Sequence, residues 1–154
     1  MEWRTILSVQ QKQHDYRFIF KIALTGPNDY LNDKILRLIS YDNIMVDGIG
    51  VHVGRVGSEP VKISYWHPHK NAFQILVQKS YQGAKGALIV SSKSKEDKEA
   101  AVRYRTEIKK KCGNIPTSLL IIDRNKASTA ISTMANLMVR ELVARIRKRT
   151  FYKV

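Results

Sequence analysis

The fold is decided by the stretch FIFKIALTGPNDYLNDKILRLI, which runs from Phe18 to Ile39. Its first eight residues are mostly apolar and typical of a strand, and residues 26–29, GPND, have the composition of a turn. From Leu31 onward, apolar residues recur at the spacing of one helix face. The stretch therefore predicts a strand, a tight turn and a helix, which is the opening unit of an α/β domain.

The turn after this first strand lacks the residues that bind a nucleoside triphosphate. A Walker A loop has a Gly, four further residues and then Gly-Lys-Ser/Thr, so that backbone N–H groups, a Lys and a hydroxyl contact the phosphates and Mg²⁺. Counted from Gly26, the last three positions fall on Leu31, Asn32 and Asp33. Leu adds a side chain where the backbone must approach, Asn carries no charge, and Asp adds a negative charge. We therefore expect this turn to bind triphosphates poorly.

Strand and helix signals continue along the chain in a regular order. Two β-prone runs separated by Gly, Ser, Glu and Pro indicate a hairpin, and the later runs alternate between helices and buried strands. Ser94 is a typical N-cap, and Gly113 is a typical helix stop. The predicted elements after the first helix are strands at 50–56 and 61–66, a helix at 73–81, a strand at 86–91, a helix capped by Ser94, a strand at 117–122 and a helix from Ser128.

This order, together with several local motifs, resembles the Ras superfamily of small GTPases, Rab-like members especially. Ile49-Gly50-Val51 is similar to the end of the family's switch I, and WHPHKN, residues 66–71, stands where the family has Trp-Asp-Thr-Ala-Gly-Gln in switch II. YQGAKGALIV, residues 81–90, is similar to the Rab-like YRGADGALLV. The resemblance covers residues 18–126 and the final helix. It implies a three-layer α/β/α, P-loop-type fold whose mostly parallel sheet has one antiparallel edge strand and is shortened at its C-terminal end.

The resemblance also implies which residues would surround a nucleotide, and the chain departs from the family at nearly all of them. His67 replaces the aspartate that reaches Mg²⁺ through water, and Gly48 replaces the metal-binding threonine. Lys126 stands where an aspartate pairs with guanine. The degenerate nucleotide-pocket positions are Gly26, Leu31, Asn32, Asp33, Gly48, His67, Lys70, Asn71, Asp123 and Lys126.

From these departures we expect a pseudo-GTPase that is not an enzyme, binds no cofactor or metal, takes no small-molecule substrate and acts as a protein-binding scaffold or regulatory subunit. The resemblance implies a protein partner, either another GTPase-like subunit or a second copy of the chain in a homodimer. A divergent small GTPase that still binds nucleotide remains an alternative. The candidate partner-binding residues are Ile49, Val51, Trp66, His67, His69 and Phe73.

The charge of the chain indicates a second kind of partner. Twenty-seven Lys and Arg residues stand against thirteen Asp and Glu residues, a formal net charge of +14. Such a surface attracts polyanions, either nucleic acid or an anionic membrane, although basic helix faces are often simply solvated. We expect the two most basic helices to lie on the same side of the sheet. The candidate polyanion-binding residues are Arg103, Lys109, Lys110, Lys111, Arg145, Arg147, Lys148 and Arg149.

The length of 154 residues suits one domain. We divide the chain into an N-terminal arm at 1–16, the GTPase-like domain at 17–150 and a basic tail at 151–154. A single cysteine, short apolar runs and no signal or lipidation motif favour a soluble cytoplasmic protein.

Two chemically active residue types have simpler explanations. His67 and His69 could ligate a metal, but no Cys or carboxylate cluster accompanies them. Cys112, beside Lys111, could have a lowered thiol pKa, but a small residue at a helix end is the favoured interpretation.

Overall fold

A computed structural model describes residues 18–40, 49–56, 59–68 and 74–152, and within these ranges the chain forms five strands and four helices. The elements in chain order are β1 (Phe18–Thr25), α1 (Asp29–Ile39), β2 (Ile49–Val56), β3 (Glu59–Trp66), α2 (Gln74–Tyr81), β4 (Gly86–Ser92), α3 (Lys95–Cys112), β5 (Thr117–Ile122) and α4 (Ser128–Tyr152).

The five strands form one sheet in the order β2-β3-β1-β4-β5. β3, β1, β4 and β5 are parallel, and β2 is an antiparallel edge strand of a hairpin with β3. Helices cover both faces of this sheet, so the expected fold class, a three-layer α/β/α fold of the P-loop type, is confirmed. After β5 the described chain continues into α4.

Each face of the sheet packs against two helices. The larger core cluster joins α1 and α4 to one face, with Leu24, Ile35 and Leu142 fully buried. The smaller cluster joins α2 and α3 to the other face around Ala87 and Ile108. Among the side chains that the structure describes, the larger cluster contains twenty buried residues and supplies most of the hydrophobic burial.

The expectation that the two most basic helices share a side of the sheet is wrong, because α3 and α4 lie on opposite faces. Right-handed crossovers that progress in one direction across a sheet place their helices on one face. α2 and α3 both follow this rule on the way from β3 to β5. Within the described residues no strand follows α4, so this rule does not apply to it, and its apolar stripe is buried beside α1.

Most element boundaries lie within one residue of the sequence prediction, and those of α1 and β3 differ most. α1 begins at Asp29, within the predicted turn. β3 begins at Glu59, also within a predicted turn, because Glu59 and Pro60 extend the ladder with β2 opposite Val56 and Arg55.

The parallel strands define two ends of the molecule. We call the end at which β1, β3, β4 and β5 finish the upper end, and the end at which they start the lower end. α1, α3 and α4 each follow a strand, so their first turns lie at the upper end and their last turns at the lower end.

Candidate functional site

The first turn of α1 occupies the upper end, where the resemblance places a phosphate loop. Asn28 is the N-cap, and its Oδ1 accepts a hydrogen bond from the backbone N–H of Leu31 at 3.2 Å. The N–H of Asn32 donates to the carbonyl oxygen of Asn28 at 3.0 Å. The first N–H groups of a helix are normally open to an anion. In this turn the side chain of Asn28 occupies one of those donors, the N–H of Leu31, whereas the bond of Asn32 is the ordinary first bond of the helix.

Asn32 closes the turn from inside. This residue is fully buried, and its Nδ2 donates to the carbonyl oxygen of Gly26 at 3.0 Å. Gly26 lies so close to β4 that an added Cβ would collide with the carbonyl oxygen of Val90. Leu31 is also buried, in the core cluster. Leu31 and Asn32, which stand at the positions of the second glycine and the lysine of a Walker A loop, therefore fill the space beside β1.

His67 connects three elements of the upper end. Its ring is only 3% exposed, and Nδ1 lies 3.1 Å from the carbonyl oxygen of Leu24. Because a carbonyl only accepts, Nδ1 must donate to it. Nε2 lies 3.7 Å from Oδ1 of Asp29 in the first turn of α1. His67 thus holds the end of β3 against β1 and α1.

Asp123 and Lys126, where the resemblance implies a guanine-reading loop, lie in a closed turn after β5. Oδ1 of Asp123 accepts from the backbone N–H of Asn125 at 3.0 Å, and Oδ2 accepts from Nζ of Lys93 at 3.1 Å. These bonds, the first of them most strongly, hold the pKa of the Asp123 carboxyl below its ordinary value. Lys126 is exposed, and its N–H donates to the carbonyl oxygen of Asp123. Asp123 therefore stabilises the turn.

The structure brings part of the candidate partner surface together. Ile49 pairs with Trp66 in the register of the edge hairpin, and Val51 pairs with Ser64. Trp66 is half-buried, with Nζ of Lys21 3.9 Å from its ring centroid. His67, by contrast, is buried. The predicted positions Gly48, His69, Lys70, Asn71 and Phe73 lie outside the described residues.

Cys112 does not have the chemistry of an activated thiol. Its Sγ is half-buried and donates to the carbonyl oxygen of Tyr81 at 3.4 Å. Burial raises the pKa of the Cys112 thiol, and this effect exceeds the opposite influence of Lys111 and Lys21. The interpretation of Cys112 as a small residue at a helix end agrees with this environment.

An open cleft lies at the lower end, between the loop that precedes β5 and the last turns of α4. Its volume is about 640 Å³, and its lining includes Lys85, Ile115, Ile146 and Arg149. A second hollow of about 460 Å³ adjoins it, lined by Arg145, Lys148 and Arg149 together with residues 114–116. We call these two hollows together the lower cleft.

Three of the predicted polyanion-binding residues, Arg145, Lys148 and Arg149, line the lower cleft together with Lys85, which the sequence analysis missed. The sequence does indicate the position of Lys85. This residue immediately precedes a predicted parallel strand, so it must lie at the lower end.

The other predicted cations are dispersed. Lys109 and Lys110 are exposed in the last turn of α3. Lys111 pairs with Glu107 at 2.8 Å. Arg103 lies about two turns above Lys110, and Arg147 is half-buried on α4.

Comparison of the chain with models of protein families and with curated proteins found no match. Among the described residues, no helix has both the length and the apolar character that crossing a membrane requires. The same part of the chain holds no group of three or more His, Cys, Asp and Glu side chains arranged around a metal position. Functional proposals for this chain therefore rest on its fold and its side chains.

Proposed function

We propose that this chain is a degenerate small GTPase, similar to Rab-like members of the Ras superfamily, that binds no nucleotide, catalyses no reaction and acts as a protein-binding scaffold or regulatory subunit. The strand order and the antiparallel edge hairpin support the relationship. The hydrogen bonds at the upper end support the loss of nucleotide binding.

The observation that carries this proposal is the position of the Asn32 side chain. At the place of the phosphate-binding lysine, it is fully buried and donates to the carbonyl oxygen of Gly26. A triphosphate at this turn would need free backbone donors and a positive charge. Instead, the Leu31 N–H is capped, and Asp29 and Asp33 add two negative charges to the turn. Each interaction lost in this way is normally worth several kilocalories per mole.

The proposed partner surface is the edge hairpin of β2 and β3. β2 pairs with β3 on one side and ends the sheet on the other, within the described chain. An edge strand offers backbone groups to another strand, so it suits a GTPase-like subunit or a second copy of the chain. With no γ-phosphate to order the switch-equivalent loops, this surface would stay in one state.

A thermal-shift experiment tests the loss of nucleotide binding. The purified chain is heated with GDP, GTP or ATP, each with Mg²⁺. A ligand at about 1,000 times its Kd adds about 4 kcal/mol to the free energy of unfolding, which raises Tm by roughly 10 °C in a domain of this size. We expect no shift with any of the three nucleotides. A shift of several degrees with GTP that requires Mg²⁺ would establish the alternative of a divergent, nucleotide-binding GTPase.

A cross-linking experiment tests the partner surface. A photoreactive amino acid replaces Val51 on the edge strand or, as the control, the exposed Thr129 in the first turn of α4. We expect position 51 to cross-link a defined protein, either a second copy or another subunit, and position 129 to yield little product. Equal yields from both positions, or none from position 51 in its own cells, would contradict the assignment of this surface.

A further inference from the structure

We propose that the lower cleft binds the phosphate backbone of single-stranded nucleic acid. The site lies at the opposite end of the sheet from the degenerate nucleotide pocket, so it does not depend on the function proposed above. Four cations surround it, namely Lys85, Arg145, Lys148 and Arg149, and the residues that line its two hollows include no Asp or Glu.

The cations come from separate elements and face the same space. Lys85 stands in the connection that leads into β4, whereas the other three belong to α4. Arg145, Lys148 and Arg149 are three and four residues apart, so they share one side of the helix. This arrangement places positive charge on two walls of a concave surface, as binding of a polyanionic strand requires.

Arg145 is held in position by the protein. Its Nη1 donates to the carbonyl oxygen of Thr117 at 3.3 Å and to Oγ of Ser118 at 3.4 Å. These contacts fix the guanidinium beside the start of β5 and leave its other donors for a ligand. A guanidinium has five N–H donors and suits the geometry of a phosphate.

The floor of the cleft is apolar. Ile146 is buried, and Ile115 and Pro116 form the adjoining wall. Gly86 permits this arrangement, because a Cβ at Gly86 would lie 2.7 Å from Cδ1 of Ile146. Proteins that bind single strands combine a positive groove with aromatic side chains on which bases stack. The described lining of the lower cleft offers aliphatic side chains instead, so its contacts would be mainly to the phosphate backbone.

Helix-dipole stabilisation does not account for these cations. Basic residues in the last turn of a helix are favourable because they face its negative end. Lys85, however, is not in a helix, and Arg145 lies seven residues before the end of α4 at Tyr152. Bonds to Thr117 and Ser118 position Arg145, and the helix dipole suits Arg149, but neither explains the presence of Lys85 at the same cleft, which an anionic ligand would.

The shape of the lower cleft favours single-stranded nucleic acid over a membrane as its ligand. A membrane-bound surface inserts apolar side chains into the lipid boundary. The large apolar side chains that are most exposed among the described residues are Tyr30, Val102 and Leu137. Tyr30 lies at the upper end, and the other two lie near the middle of α3 and α4. Among the side chains that the structure describes, none of these three lines the lower cleft, and a concave surface suits a flexible chain better than a flat bilayer.

Fluorescence anisotropy with a labelled oligouridine of about 20 nucleotides tests this site. We expect binding by the full chain at low salt, with a slope of log K against log salt near −3 for about four phosphate contacts. Affinity should then fall roughly 50-fold between about 50 and 200 mM salt. No binding at the lower salt concentration would overturn the proposal.

A pair of double variants separates the cleft from the general charge of the protein. Lys85→Ala with Arg149→Ala removes two cations from the cleft, and Lys95→Ala with Lys98→Ala removes two exposed cations at the upper end of α3. We expect the first pair to weaken binding about tenfold and to halve the salt slope, and the second pair to change affinity less than about twofold. Lys85→Arg with Arg149→Lys keeps the charges and should retain binding.

Two outcomes would overturn the assignment. Equal losses of affinity in the two double alanine variants would mean that the net charge of the protein alone attracts the oligonucleotide. Binding to vesicles that contain phosphatidylserine, lost in the cleft variant while the oligouridine does not bind, would assign the cleft to anionic lipid instead. Circular dichroism of all variants confirms that the exposed substitutions leave the fold intact.

Discussion

The upper and lower ends of the sheet use their polar groups in opposite ways. At the upper end, Asn28, Asn32 and His67 bond to backbone groups of the same protein. At the lower end, Lys85 and Arg149 face an open cleft. A polar atom that is bonded internally stabilises the fold and is not available to a ligand. Substitutions at the upper end should therefore change stability, and substitutions at the lower end should change binding.

The largest expected effect on stability is that of Gly26→Ala. The added Cβ would collide with the carbonyl oxygen of Val90, and backbone cannot move aside as a side chain can. We expect a loss of about 3 kcal/mol or more in the free energy of unfolding, measured by urea denaturation.

Gly86→Ala is the matched variant at the lower end. Its Cβ would meet the far end of the Ile146 side chain, which can rotate, so we expect a loss of about 1 kcal/mol. Equal losses in the two variants would show that the turn after β1 is not packed tightly against β4.

Asn32→Ala should have the next largest effect. The substitution leaves the carbonyl oxygen of Gly26 without its buried donor and removes packed volume, which we expect to cost about 2 kcal/mol in the free energy of unfolding. The control is Asn136→Ala, because the exposed Asn136 also bonds to a backbone carbonyl, that of Ser132. The control should lose less than about 0.5 kcal/mol. A neutral Asn32→Ala would mean that the closed turn does not depend on this side chain.

Tyr81 links the two ends, and its ionisation gives a pH-dependent prediction. Its hydroxyl donates to Oγ1 of Thr25 at 3.3 Å, and Nζ of Lys111 lies 5.0 Å from its ring centroid. Burial raises the pKa of Tyr81 to about 12. Because the folded pKa lies above the ordinary value of 10.0, the stability from this group is complete below pH 10 and is lost as the pH rises toward 12.

Ultraviolet absorbance of tyrosinate measures this ionisation. We expect a late phase in the alkaline titration, and the Tyr81→Phe substitution should reduce its amplitude. Tyr65 should still contribute to this phase, because burial also raises the pKa of its hydroxyl. If Tyr81→Phe leaves the late phase unchanged, Tyr81 ionises with the exposed tyrosines and its ring is not packed as described.

The smallest expected effect is that of Asp123→Asn. Backbone and lysine contacts lower the pKa of this exposed carboxyl, so its contribution is present at neutral pH and is lost as the pH falls through its folded pKa. We expect a slight decrease of Tm at pH 7 that disappears in acid. A large decrease at neutral pH would show that the turn after β5 organises more of the upper end than its contacts indicate.

Much of the fold could be predicted because its signals are local. The β1 stretch, the Ser94 cap and the Gly113 stop each depend on residues close together in the chain, and the structure has all three. The start of α1 was misplaced although its signal is equally local. Asn28 is a typical N-cap, but the composition Gly-Pro-Asn-Asp assigned residues 26–29 to a turn.

The details of the two ends depend on contacts between distant residues. The burial of His67 follows from its bond to Leu24, 43 residues away in sequence, which no periodicity reveals. α4 packs beside α1 on the same face of the sheet, and this packing depends on residues far apart in the sequence. Lys85 was missed because the basic residues were counted along helices rather than along the lower end of the sheet.

One nitrogen-15 NMR titration tests the contrast between the two ends most directly. GTP with Mg²⁺ should leave the amide signals of Leu31 and Asn32 unchanged, and oligouridine should shift those of Lys85, Arg145 and Arg149. Saturable shifts at Leu31 and Asn32 with GTP would contradict the closed upper end on which this account depends.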